Sequence, residues 1–417
     1  MRLSLITALL LASTSLPAQQ PIDAKVQARI DQILKKTPLI DGHNDIAEQL
    51  QENHGFSIAN LASGTDKWPT DPLMTDMSRL HAGRVGGQFW SVYIDGTFTG
   101  DEAIRRTIDQ IDIVDRMIAA YPNDLERALT ADDVVRIHKR GKVASMIGIE
   151  GGRQIGGDLA ALRQFYRLGA RYMTLTHNQT TEWADSATDE AKYDGLSPFG
   201  LKVVAEMNRL GMLVDLSHVS PATMRDAIEA TRAPVIFSHS SAANLNPHPR
   251  NVPDEILRLL PANGGVVMVN FVPVFLSKAV WEWGAAQSAE EARLKSMNRA
   301  SLAAVDAGMK AWEIANPRPN TDVTDVADHI EHIAKTAGHD HVGLGGDFDG
   351  IPFTPTGLTG VETYPLIFAE LIRRGWSDED LAKLAGGNVL AALRRAEAVA
   401  AAMKDVPPSL DKISVEP

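Results

Sequence analysis

Eight short apolar runs that end in polar residues recur along the chain, and several of them are followed by stretches with helical periodicity. The runs span residues 38–43, 88–94, 143–149, 171–177, 213–218, 233–239, 265–270 and 341–347. Helical spacing is clearest over 159–168, 199–210 and 221–230, the last with Ser220 placed to cap its first turn. Strands that alternate with helices give parallel βαβ units, and eight of them predict a closed (β/α)8 barrel of the TIM type. An open, doubly wound sheet is the other architecture that this alternation permits.

The chain has 417 residues, and a barrel of this size runs as one domain, so residues 19–417 are read as a single catalytic unit. Two stretches exceed a minimal barrel. Residues 55–80 form a loop rich in Gly, Pro and Asp, and residues 277–320 carry a strongly helical run over 289–314. Both follow predicted strands and so belong on the catalytic face, where they would act as lids or walls. An oligomer contact fits the second equally well. Residues 377–403 read as a C-terminal helix or helix pair, broken at Gly386-Gly387-Asn388.

Residues 1–18 have the form of a cleaved signal peptide: Arg2, an apolar run over 3–11, then small and turn-forming residues up to Ala18. The apolar run is too short to span a bilayer. The reading is therefore a secreted or periplasmic protein with no membrane anchor in its mature part. The formal net charge of −12, with acidic residues scattered, argues against nucleic acid as a partner. There is no cysteine, so disulfides, thiol nucleophiles and thiolate metal sites are excluded. Any metal must be held by His, Asp and Glu.

Such residues gather where the predicted strands end: His43 and Asp45, Glu150, His177, His218, His239 and Asp347. Barrel enzymes build their sites at that end. Residues i and i+2 of an extended chain face the same side, so His43 and Asp45 can reach one cation. The two oxygens of Glu150 can bridge two ions, and His218 with His239 can complete a second position. Nitrogen and oxygen ligands without thiolate suit zinc best, with manganese or cobalt as alternatives. Asp347, beyond Gly345-Gly346, can exchange a proton with an activated water, whereas Asp349 reads as a turn residue. His54, His81, His138, His248, His329, His332, His339 and His341 are read as surface or loop histidines.

Taken in order, nine segments resemble the membrane dipeptidase (renal dipeptidase) family. They include Asp41-Gly42-His43-Asn44-Asp45, Gly86-Gly87-Gln88-Phe89-Trp90, Ile149-Glu150-Gly151-Gly152, Leu175-Thr176-His177-Asn178 and Asp215-Leu216-Ser217-His218. Phe237-Ser238-His239-Ser240-Ser241, Arg250-Asn251-Val252-Pro253 and Gly345-Gly346-Asp347-Phe348-Asp349-Gly350 continue the match, which covers nearly all of the mature chain. The resemblance implies a barrel metallopeptidase with two zinc ions per chain that cleaves dipeptides. It implies His43 and Asp45 on one zinc, His218 and His239 on the other, and Glu150 between them. Asp347 matches the catalytic acid/base, His177 a residue that contacts the substrate, and Arg250 the cation that binds the substrate carboxylate. A homodimer is implied by the same analogy. Val272-Pro273 stands where animal members tend to have a tyrosine, so one contact to the substrate carboxylate differs here. A metal-dependent amidohydrolase of another small amide or lactone, or a non-catalytic binding protein on the same barrel, would share the scaffold and differ in substrate chemistry.

Overall fold

The structure is a computed structural model, and it describes residues 22–414. The signal-peptide reading of residues 1–18 lies outside the described residues. Nine strands form: β1 (Leu39–Asn44), β2 (Val85–Tyr93), β3 (Leu125–Arg127), β4 (Val143–Glu150), β5 (Ala170–Thr174), β6 (Leu213–Asp215), β7 (Val235–Phe237), β8 (Val266–Val269) and β9 (Val342–Leu344). Pairing runs β2-β1-β9-β8-β7-β6-β5-β4, and a further β2–β4 ladder from Gly87↔Ala144 to Tyr93↔Glu150 closes the ring. Every pairing is parallel. The eight predicted runs coincide with the eight barrel strands, and closure excludes the open sheet.

The ninth strand, β3, was not anticipated. Its residues Leu125↔Val143 to Arg127↔Ser145 pair with the start of β4, before β5 joins at Ile147↔Ala170. Three residues of mixed polarity carry no alternation to read. The last barrel strands are also shorter than predicted, because the chain leaves the ladder where the polar residues begin.

Alternation along the strands sorts the core into two buried layers. Ile40, Phe89, Met146, Tyr172, Leu213, Ile236, Val266 and Met268 fill the barrel and meet Val134, Ile137, Val389 and Leu393 from two helices. Leu39, Trp90, Val92, Ile147, Ile149, Val214, Phe237 and Val269 belong to the other layer, shared with the surrounding helices. Inside the barrel some positions admit only glycine on packing grounds. A Cβ on Gly148 would lie 2.0 Å from the Tyr172 ring, and one on Gly345 would lie 1.9 Å from the Ser238 carbonyl oxygen.

The helical run expected over 289–314 is split into helices Lys278–Met297 and Leu302–Ala315. The chain turns at Asn298, and Ser301 restarts the second helix by accepting from Ala304 N at 3.2 Å. Periodicity alone does not register a break that capping residues impose. The helix Pro221–Ala230 does open on Ser220, whose side chain accepts from Thr223 N. The C-terminal segment is a helix pair, Asp378–Ala382 and Asn388–Ala402, joined by one wide turn through Gly386 and Gly387. Among the described residues no helix is long and apolar enough to cross a membrane.

One histidine departs from its reading. His329 is 1% exposed inside the helix Val323–Ala337, neither on the surface nor in a loop. Its Nδ1 accepts from Ala242 N at 3.0 Å, and its Nε2 lies 3.0 Å from the Leu276 carbonyl oxygen. A helix histidine with both nitrogens used can be buried at little polar cost, and nothing in its local sequence marks it.

Candidate metal centre

The polar strand-end residues converge on one cavity of about 290 Å³, lined among others by Asp45, Glu150, His177, His218, His239, Arg250 and Asp347. His43 lies in β1 and Glu150 ends β4. His177, His218, His239 and Asp347 stand two or three residues past the last paired residue of their strands. They therefore ride on short loops rather than on strands. His218 and Asp347 adopt positive φ, 69° and 61°, a backbone region unfavourable for side chains other than glycine.

The heart of the cluster is Glu150. Its Oε2 lies 3.3 Å from His43 Nε2, which is itself 3.3 Å from Asp45 Oδ2. Its Oε1 lies 3.0 Å from His218 Nε2 and 3.3 Å from His239 Nε2. Atoms that share one tetrahedral ion at 2.0–2.1 Å lie roughly 3.4 Å apart, so these separations match a common cation. His43-Asp45-Glu150 and Glu150-His218-His239 each bring three donor atoms within 4.8 Å of one another, as does His43-His239-Asp347. His43 Nε2 and Asp45 Oδ1 are buried with no hydrogen-bond partner in the protein. Buried orphans of this kind call for a ligand, and a divalent cation fits this donor set.

On His43 and His239 the nitrogen facing away from the cluster is fixed by a neighbour, whereas His218 Nδ1 is buried without a partner. His43 Nδ1 is 2.8 Å from the Tyr172 hydroxyl, which donates to the Gly42 carbonyl oxygen at 3.1 Å. The hydroxyl therefore accepts from Nδ1–H and leaves the Nε2 lone pair to the cavity. Gly148 supplies the room that Tyr172 needs. His239 Nδ1 is 2.9 Å from Ser238 Oγ, which donates to Asp215 Oδ2 at 2.7 Å. Asp215 also accepts from Thr174 Oγ1 and from the Ser238 and Ser217 amides. Sequence reasoning assigned no role to Tyr172, Asp215 or Ser238. The available signal was a carboxylate and a tyrosine inside apolar strands.

Charge states follow from burial and neighbours. Burial pulls His218 and His239 well below the ordinary histidine range, helped by Arg250 on the first and His43 on the second. Burial opposes the ionised form of Glu150, but His43 and the hydrogen bonds of His218 and His239 hold it well below the carboxylate range. His218, His239 and Glu150 are thus in their ligating forms. Burial opposes the charged form of His43, but Asp45, Tyr172 and Glu150 raise it well above its ordinary value, so that it would release a proton on binding a cation. Burial drives Asp347 well above its ordinary value against the pull of His43, with Asp45 and Glu150 adding to the rise.

Arg250 is 3% exposed, and its loop is stapled by neighbours. Asn251 Nδ2 donates to Asn246 O and Phe275 O, while Asn246 Nδ2 donates to Val274 O and Phe275 O. The guanidinium gives one bond to His239 O at 3.3 Å and leaves Nε and Nη1 buried without a partner. Burial lowers it to about 10. His177 lies between the Tyr93 and His218 rings, with its Nε2 3.7 Å from Glu150 Oε1 and its pKa lowered by burial. Asp349 is more than a turn residue. It is buried and accepts from Met74 N at 2.6 Å, tying the 55–80 loop to the site. Glu48 also lines the cavity and was missed. Burial raises it to about 9, with Asp45 and Glu150 adding to the rise.

A model of the family described as membrane dipeptidase (Peptidase family M19) matches residues 27–406 of this chain. The dipeptidase aclJ of Aspergillus oryzae is 40% identical over 396 residues, which cover 92% of this chain and 84% of that protein. Among solved structures, the probable dipeptidase PvdM from Pseudomonas aeruginosa superposes with a TM-score of 0.72 at 23% identity, covering 90% of this chain and 99% of that one. A metallo peptidase from Rhodobacter sphaeroides, liganded with a phosphinate mimic of the dipeptide L-Ala-D-Ala, gives 0.69 at 24% identity over 87% and 99%. These two structures speak to the fold.

Proposed function

The chain belongs to the membrane dipeptidase family, whose members hydrolyse peptide bonds, and from that premise we propose that it is a binuclear zinc dipeptidase. The observation that carries the reading is the division of Glu150. One of its oxygens faces His43 and the other faces His218 and His239. His43 and Asp45 would hold one zinc, His218 and His239 the other, with Glu150 bridging. Bound zinc supplies an acidified water and draws electron density from the peptide carbonyl.

The chain's own residues do the rest. Arg250 offers unspent buried N–H groups to the substrate carboxylate, a grip that a longer peptide would forfeit. His177, neutral, donates to the carbonyl oxygen as it gains charge. Asp347 takes the proton of the attacking water and returns it to the departing nitrogen. A dipeptide with a free C-terminus is the substrate class that this arrangement measures. The Rhodobacter sphaeroides neighbour carries a mimic of such a compound. In the same reading residues 1–18 direct export to the periplasm or medium, and the remainder acts as one catalytic domain, as a homodimer by analogy.

Elemental analysis of purified enzyme with a panel of dipeptides and their C-terminal amides tests this. Two zinc ions per chain, loss of activity on chelation and recovery with zinc are expected. Full activity with a single ion overturns the bridging role. Zinc-bound protein that cleaves only a cyclic amide or lactone overturns the substrate.

A further inference from the structure

The helix Ile46–Glu52 begins with Asp45 and carries Glu48 three residues on, the spacing of a capping box. That box is not made. The Asp45 amide donates to Phe348 O at 3.0 Å, and Asn44 Oδ1 accepts from Ile46 N at 3.1 Å. The Asp45 side chain caps nothing and turns to the cavity instead. Glu48 is thereby released from the task that its position suggests. It has no hydrogen bond or ion pair among the described residues, it is half-buried, and it lines the same cavity as Arg250.

Glu48 is not part of the donor clusters around Glu150. Asp45, Glu48 and Glu52 are spaced along one side of the helix, buried, half-buried and exposed in that order. They form an acidic track that leads out of the centre. Arg250, whose guanidinium lies 5.3 Å from the Phe275 ring, supplies the cavity's positive end. The cavity therefore has a cationic group for a carboxylate, and an unspent carboxyl group near the metal-binding residues.

We propose that Glu48 is a specificity-determining residue that receives the positive charge of the substrate's amino-terminal residue. This rests on the dipeptidase reading and deepens it: Arg250 reads one end of the zwitterion and Glu48 the other. Two sources carry the charge, the free α-ammonium and a lysine-like side chain that follows the track toward Glu52. An ammonium group placed beside Glu48 stabilises its carboxylate form, so the partly desolvated cavity favours either source over an uncharged group of the same size.

The test uses zinc-loaded Glu48→Gln and wild-type enzyme on two substrate pairs. Ala-Ala against N-formyl-Ala-Ala isolates the α-ammonium, and Lys-Ala against norleucyl-Ala isolates the side chain. Wild type should prefer the charged member of at least one pair. In Glu48→Gln the kcat/KM ratio of that pair should collapse by about tenfold or more, with zinc content and the uncharged member little changed. Glu48→Asp should restore part of the ratio. Collapse in the first pair assigns the α-ammonium, and collapse in the second assigns the side chain. Ratios unchanged in both pairs overturn the proposal, as does an equal loss on all four substrates with loss of zinc, which would make Glu48 a support of the metal site. Wild-type enzyme that cleaves none of the four overturns the dipeptidase reading itself, and this inference with it.

Discussion

Tyr172→Phe is the sharpest probe of how the barrel interior serves the centre. The hydroxyl sits between His43 Nδ1 at 2.8 Å and the Gly42 carbonyl oxygen at 3.1 Å, fully buried. Phenylalanine keeps the ring packed in the space above Gly148 and removes only the oxygen. The His43 Nδ1–H is then left without its acceptor, and the imidazole loses what fixes its tautomer and orientation. A buried donor stripped of its partner costs about 1–3 kcal/mol. Part of that cost is relieved in the metal-free state, where the ring is free to turn, and the rest weakens metal binding. Since about 1.4 kcal/mol is a factor of ten, zinc affinity at the His43–Asp45 position should fall roughly 10–100-fold. Competition with a chromophoric chelator measures it, and kcat at saturating zinc separates occupancy from chemistry. Gly148→Ala is an independent route to the same defect, because its Cβ would lie 2.0 Å from the Tyr172 ring. Unchanged zinc affinity in Tyr172→Phe would refute the reasoning and leave Tyr172 as a packing residue.

Further expectations follow from the same geometry. Asp347→Asn should keep both zinc ions and lose about 10²–10⁴-fold in kcat, and near-normal turnover with full zinc would reduce Asp347 to a turn residue. Arg250→Met should cost roughly 2–4 kcal/mol in kcat/KM on a dipeptide while changing little on its C-terminal amide; equal losses would mean that Arg250 only supports its loop. His329 is held near pKa 4 by burial, against an ordinary value of 6.5. The unfolded chain therefore binds the proton more readily between those values, and stability contributed by neutral His329 is present above pH 6.5 and lost as pH falls toward 4. The loss amounts to about 3 kcal/mol, and urea denaturation of metal-free protein should show a flatter pH slope over that window in His329→Gln than in wild type. Parallel slopes would refute it.

The amino-acid sequence was enough to place the barrel and to single out residues that the fold gathers around one cavity. Repeating apolar runs mark strands because burial on both faces of a parallel sheet demands continuous hydrophobic stretches. His43, Glu150, His218, His239 and Asp347 stood out because each interrupts or ends such a run, where a polar group needs a partner. Tertiary structure decided what depends on distant neighbours. Closure required β2 to meet β4 across residues more than fifty positions apart, and no local pattern encodes that pairing. The same holds for Tyr172 beneath His43, separated by 129 positions, and for His329 holding Ala242 across 87. The sequence marked Asp45 as a cation ligand and passed over Glu48. Only the fold places Glu48 in the cavity, because a hydrogen bond from the Asp45 amide to the Phe348 carbonyl oxygen and a cap from Asn44 release it from the role that its spacing announces. Spacing records which residues a helix can bring together, and the surrounding chain determines which of those interactions form.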